Sequence, residues 1–214
     1  PVAAIVFYRS LALGGQTAAV EALASGLEAR GLAPLMVHAQ SLKDPAAAAF
    51  VRAALERAKA AIVLNTTAFA LGDANGRGAA RTPFDGLPGP VLQVVLSGAS
   101  EAAWAGSSRG LGPSDLAMHV ALPEIDGRVL TRAVAFKAEA RWDEATECPI
   151  LVQAPRPDRI DHVAALAAAW VRLARTAAGD RRVLLVIANY PNRDGRLGNG
   201  VGLDTPESVA RILA

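Results

Sequence analysis

Val2-Ala3-Ala4-Ile5-Val6-Phe7-Tyr8, then Leu13-Gly14-Gly15, then Val20, Leu23 and Leu27 at helical spacing, is the stretch on which the fold turns. The first run is apolar without alternation and contains β-branched residues, as in a strand covered on both faces. The glycine turn and the i, i+3, i+7 recurrence predict a helix over about 16–30, which Gly31 stops. Residues 35–38 read as a second short strand. Asp44-Pro45 predicts a helix start, with a capping carboxylate followed by Pro at the first helical position, and the helix runs through Phe50, Val51 and Leu55. Ala60-Ala61-Ile62-Val63-Leu64-Asn65 is a third strand and Val91-Leu92-Gln93-Val94-Val95-Leu96 a fourth. Between them, 72–90 is rich in Gly, Pro and Asn, holds Arg77 and Arg81, and reads as a long loop.

Farther along, 100–105 reads as a short helix. Residues 115–122 read as a strand running into Pro123-Glu124-Ile125-Asp126-Gly127, and 129–136 as a hairpin strand. Strands alternating with helices through short connections imply an α/β fold, a parallel sheet of flavodoxin-like or Rossmann-like type with helices on both faces, over 1–140. Residues 141–180 read as a linker and a long helix. Residues 181–214 read as the start of a second α/β unit: a strand over 181–188, a loop over 189–205 and a helix from Pro206. Both chain ends fall at or inside elements, so the expectation is an excised piece of a longer protein.

The 214 residues carry 22 Lys+Arg against 20 Asp+Glu, a net charge of +2 that gives no reason to expect nucleic acid as a partner. Length sets a prior of one domain, or one and part of another. Cys148 stands alone, which excludes a disulfide framework or multi-cysteine metal site within the chain. No window approaches the ~18 apolar residues of a membrane span, and no signal-peptide pattern opens the chain, so a cytoplasmic protein without a membrane partner is expected. Neither G-x-x-x-x-G-K-[ST] nor G-x-G-x-x-G occurs, nor H-E-x-x-H. ATP is therefore not expected on this chain.

Two segments carry chemistry. Pro123-Glu124-Ile125-Asp126-Gly127-Arg128 places two carboxylates at a sheet edge, where open α/β sheets hold ligands, with His119 shortly before them. Glu124 and Asp126 could bind a divalent cation or take substrate protons, with His119 as a further metal ligand. They could equally be turn residues, Gly127 supplying the positive φ. The second segment, 188–206, brings Asn189, Asn192, Arg193 and Asn199 and several glycines directly after a strand, a composition suited to a polar or anionic ligand. Arg9-Ser10 and Asn65-Thr66-Thr67 end strands on the same edge, which suggests one shared rim.

Three stretches, VFYRSLALGGQTAAVEAL at 6–23, LPGPVLQVVLSGASEAAWAGSSRGLGPSDLAMHVALPEIDGRVLTRAVAFK at 87–137 and ANYPNRDGRLGNGVGLDTPES at 188–208, resemble the large-subunit family of cobaltochelatase and magnesium chelatase, on its cobalt side. The resemblance runs along essentially the whole chain. It implies insertion of Co2+, as substrate, into hydrogenobyrinic acid a,c-diamide on the aerobic route to cobalamin. ATP and Mg2+ would be consumed on partner subunits, an AAA+ ATPase and a second small subunit. Related sequences often carry Asn at position 119, which ranks His119 below Glu124 and Asp126. The peripheral carboxylates and amides of the corrin would call on Arg9, Ser10, Asn65, Thr66, Arg128, Asn189, Asn192, Arg193 and Asn199. Two alternatives remain open here: a non-catalytic docking module, and a magnesium-chelatase-type porphyrin-binding subunit.

Overall fold

In the computed structural model, which describes residues 1–72, 82–187, 198, 200 and 202–214, six strands form one sheet. They are β1 (Val2–Tyr8), β2 (Ala33–Ala39), β3 (Ala60–Asn65), β4 (Val91–Ser100), β5 (Val129–Asp143) and β6 (Cys148–Pro155), in the order β2-β1-β3-β4-β5-β6. All neighbours pair in parallel except β5 with β6. The parallel part has the flavodoxin-like order 2-1-3-4-5, and the direction of winding reverses at β1. The α/β reading is correct, and it resolves to that type.

The uninterrupted apolar character of β1 follows from cover on both faces. Ala3, Ile5 and Phe7 join a core with Leu23, Leu27, Ile62, Leu92 and Val163, under α2 (Ala18–Glu28) and α7 (Pro157–Arg175). Ala4 and Val6 point the other way, into a core with Val51, Leu55, Val63 and Phe84, under α3 (Pro45–Ala58). The Asp44 carboxylate caps α3 by accepting from the Ala47 N–H at 2.7 Å, as the Asp-Pro pair predicts. α2 and α7 meet closely at Gly26: a Cβ there would stand 3.2 Å from the Ala164 Cβ.

Three expectations need correction. Residues 115–122 are not a strand: α5 (Pro113–Leu116), a π-turn (Ala117–Ala121) and α6 (Leu122–Ile125) form a continuous helical stretch. Pro113 at the first helical position starts it, and the Ala, Leu and Met that follow are good helix formers. The segment 141–155, read as a linker, instead completes an antiparallel ribbon: β5 continues to Asp143, and β6 returns along it as the edge strand. The expected limit at 140 thus falls inside β5, and the compact unit runs from Pro1 to Arg175.

Thr176–Ala214 forms a second compact unit. Its Arg181–Ile187 stretch takes no strand, because a strand needs a neighbour to close its hydrogen-bond ladder and none pairs with it among the described residues. Within that unit Asp204 caps α8 (Thr205–Leu213), accepting from the Glu207 N–H at 3.0 Å. The helices α1 (Arg9–Leu13) and α4 (Glu101–Ala105) are short, and each directly follows a strand of the first unit. Among the described residues, no helix is long and apolar enough to cross a membrane.

Candidate functional site

The carboxyl ends of β1 and β3, where the winding reverses, carry a buried polar network. Asn65 donates from Nδ2 to Gln93 Oε1 at 2.9 Å and to the Thr67 carbonyl at 3.0 Å. Gln93 Nε2 donates to the same carbonyl at 2.9 Å, and the Thr67 hydroxyl donates to Asn65 Oδ1 at 3.0 Å. Thr66 is held to β1, its N–H and its hydroxyl both donating to the Val6 carbonyl. Asn65, Thr66, Thr67 and Gln93 are all buried. Buried amides and hydroxyls are tolerable only when paired, and here they pair with one another.

Arg128 enters this network from just before β5. Its Nη1 donates to Gln93 Oε1 at 3.2 Å, and Nη2 donates to Asp126 Oδ2 at 2.7 Å. The guanidinium lies 5.7 Å from the centre of the Phe84 ring. The Asp126 carboxylate also accepts the N–H of Leu71 at 2.9 Å and that of Gly72 at 2.8 Å. Both charged side chains are 1% exposed. Burial pushes the Arg128 pKa down, and Asp126 opposes that shift. Tyr8, at the end of β1, accepts the Ala68 N–H at 3.1 Å. Burial raises its pKa, against the lowering effects of the Ala68 backbone bond and the Arg128 charge.

The turn 123–128 is therefore fastened onto the chain leaving β3. Of the two carboxylates singled out from sequence, Asp126 is committed to that fastening. Glu124 differs: its side chain is exposed, and no described residue donates to it. Asn65, Thr66 and Arg128 lie inside the protein and not on an open rim, and their polar groups are spent on Gln93, Thr67, Asp126 and the Val6 carbonyl. For them to touch a ligand directly, the network would have to open.

Arg9 and Ser10 are exposed in α1. Arg9 borders a cavity of about 630 Å³ with His38, Gln40, Ser41, Asp44 and Phe50, at the carboxyl ends of β1 and β2. His119 lies in the π-turn, apart from this cavity's lining. Its Nδ1 is buried with no hydrogen-bond partner, and burial lowers its pKa against the raising effect of Asp115. Among the described residues, no three His, Cys, Asp or Glu side chains converge to hold a metal ion, so Glu124, Asp126 and His119 do not form a ready ligand set. Asn189, Asn192, Arg193 and Asn199 lie outside the described residues.

Sequence reading missed Tyr8, Gln93 and Asp115. For Gln93 the signal was available: a lone amide in an otherwise apolar strand must find buried partners. Asp115 accepts from the Ser97 hydroxyl at 2.6 Å and from the Gly98 N–H at 3.1 Å, a union visible only once β4 and α5 are adjacent.

The model of the CobN/Magnesium Chelatase family matches residues 1–214. The aerobic cobaltochelatase subunit CobN of Sinorhizobium sp is 45% identical over 216 residues, covering 100% of this chain and 17% of that protein. Its Pseudomonas aeruginosa counterpart is also 45% identical, with the same coverage. A magnesium-chelatase subunit from Cereibacter sphaeroides is 30% identical, over 98% of this chain and 19% of its own length. The solved catalytic subunit of cobaltochelatase from Mycobacterium tuberculosis superposes with a TM-score of 0.83 at 32% identity, covering 100% of this chain and 18% of that one. The chain thus spans about a sixth of the length of the curated cobaltochelatase relatives it matches. With a family model spanning every residue, and a solved relative that shares the fold, the chain belongs to the CobN/Magnesium Chelatase family.

Proposed function

We propose that this chain is part of a cobaltochelatase large subunit that inserts Co2+ into hydrogenobyrinic acid a,c-diamide in the cytoplasm. ATP with Mg2+ is hydrolysed on an AAA+ partner subunit, assisted by a second small subunit. The observation that carries the reading is the gap in identity: 45% to cobaltochelatase subunits over the whole chain, against 30% to a magnesium-chelatase subunit.

Chelation asks for three things: loss of water from Co2+, loss of two ring protons, and a held macrocycle. Glu124 is the free carboxylate on the rim, suited to ligating the cation through oxygen or to accepting a ring proton. Asp126 and Arg128 are positioning residues, which hold the Glu124 turn against the end of β3. Arg9, exposed beside its cavity, pairs with a peripheral carboxylate of the ring, and Ser10 adds a hydroxyl. Asn189, Asn192, Arg193 and Asn199 supply further donors for the ring's amides and carboxylates. Closure driven by the ATPase supplies the distortion and dehydration that a static rim does not.

The test is a reconstitution of the intact large subunit with both small subunits and ATP. Cobalt insertion into hydrogenobyrinic acid a,c-diamide is followed by visible absorbance, beside Mg2+ with protoporphyrin. Turnover of the corrin alone supports the reading. Turnover of the porphyrin alone would move the chain to the magnesium branch. Corrin binding that survives deletion of residues 1–175 would reduce the segment to a docking module.

A further inference from the structure

Val183-Leu184-Leu185-Val186-Ile187, in the second unit, is an unbroken apolar run, and every residue of it is exposed: Leu184 by 87%, Val183 by 81%, Val186 by 79%, Ile187 by 48% and Leu185 by 39%. β1 has the same uninterrupted character, and there Ala3, Ala4, Ile5 and Val6 are fully buried. Four sides of β1 are covered: β2 and β3 close its two hydrogen-bonding edges, and helices lie over both faces. The run 183–187 has no strand pairing and no buried residue among the described residues. A soluble protein rarely leaves a contiguous apolar patch of this kind in water, least of all beside unpaired ladder groups.

The helix that follows carries the same signal. On α8, Ile212 and Leu213 are exposed, while the Glu207–Arg211 ion pair at 2.8 Å lies on the opposite face. One side of α8 is thus made for water and the other for a packed layer.

The pattern limits what can cover 183–187. A second copy pairing edge to edge would close one ladder and leave both faces wet. A partner docked on one face would leave the other face and both edges open. Polar residues do not alternate through the run, so neither face is the solvent side. Cover on four sides is a parallel sheet layered with helices, and its successive strands are joined through a helix, the place α8 holds after this run. Such units come from one polypeptide. This chain is 17% of the length of its cobaltochelatase relatives, so polypeptides of that length have ample chain to supply them.

We infer that 181–187 is an interior strand of a second parallel sheet, whose flanking strands and covering helices come from residues of the same polypeptide outside 1–214, with the apolar side of α8 packed on that sheet. This requires the chain to be a piece of a longer subunit, but no particular metal or ring.

The experiment is hydrogen exchange by mass spectrometry on a peptide covering 182–187 of the intact large subunit, purified without the small subunits and measured at two concentrations. Its amides should exchange at least about a thousandfold more slowly than in the free peptide of that sequence, equally at both concentrations. Leu184→Asp and Leu185→Asp probe opposite faces, and each should raise opening at least about thirtyfold. Leu184→Met, which conserves volume, should stay within about tenfold of the parent. The parent measurement decides the matter even where an aspartate variant does not fold. Exchange at the free-peptide rate would overturn the inference. So would protection lost on dilution, which makes the occupant a second copy, and protection gained only when the small subunits are added, which makes it a partner. An aspartate tolerated at either position would leave one face open and overturn it as well.

Discussion

Asp126→Asn isolates the clamp at the end of β3. The substitution keeps size and shape but removes the charge opposite Arg128 and replaces one acceptor oxygen with an N–H donor. The wild-type carboxylate serves Arg128 at 2.7 Å, the Leu71 N–H at 2.9 Å and the Gly72 N–H at 2.8 Å, with both charged side chains 1% exposed. Removing one member of a buried pair costs about 3–5 kcal/mol, because the other charge stays buried without compensation. Asn retains one acceptor, so the lower end applies, and about 3 kcal/mol corresponds to roughly 150-fold in local opening. The assay is hydrogen exchange by mass spectrometry on a peptide covering 66–72 in the intact subunit, where protection should fall by that factor. Adding Arg128→Met should restore part of it, since no orphaned guanidinium then remains. Protection unchanged within about twofold, alongside lost chelation, would refute the clamp and return Asp126 to the chemistry itself.

Other consequences follow from single sites. Gly89→Ala would drive a Cβ into the Ala61 carbonyl oxygen, so the backbone must shift, and a loss of about 1–3 kcal/mol is expected in urea unfolding. His119 is lowered from 6.5 when folded, so its neutral form contributes stability above that value, which is lost as pH falls below 6.5. Asp115 and Lys137 line one cavity with His119, and His119→Gln should flatten the decline; an unchanged slope between pH 7 and 5 would contradict it. Tyr8 has the opposite sign. Its raised pKa contributes stability that is complete below pH 10 and lost as pH climbs past it, and Tyr8→Phe should remove that part of the alkaline decline.

The parts of the fold written in local pattern were legible. β1, β3, α2 and α3 each carry their own periodicity, and Asp44-Pro45 marks a helix start without help from the rest of the chain. β6 was hidden because Pro149 and Pro155 argue against a strand. They are tolerated because β6 is an edge, with one side free of ladder bonds. The stretch 113–125 misled because a short apolar run fits a buried strand or helix equally well. The site was legible in its residues but not in their roles. Asp126 and Arg128 stood out as charges at a turn. Their burial depends on the backbone of Leu71 and Gly72, 55 and 54 positions away, which no spacing rule reveals. Glu124 and Asp126 look equivalent in sequence. Only the fold separates them, one carboxylate fastened inside and one left on the rim.

That separation is most directly tested by Glu124→Gln in the intact subunit, with cobalt insertion and corrin binding measured side by side by visible absorbance. Insertion should be abolished while the dissociation constant for the corrin stays within a few-fold, because the amide keeps the shape but neither accepts a proton nor balances the cation's charge. Cobalt insertion at the parent rate would contradict the account.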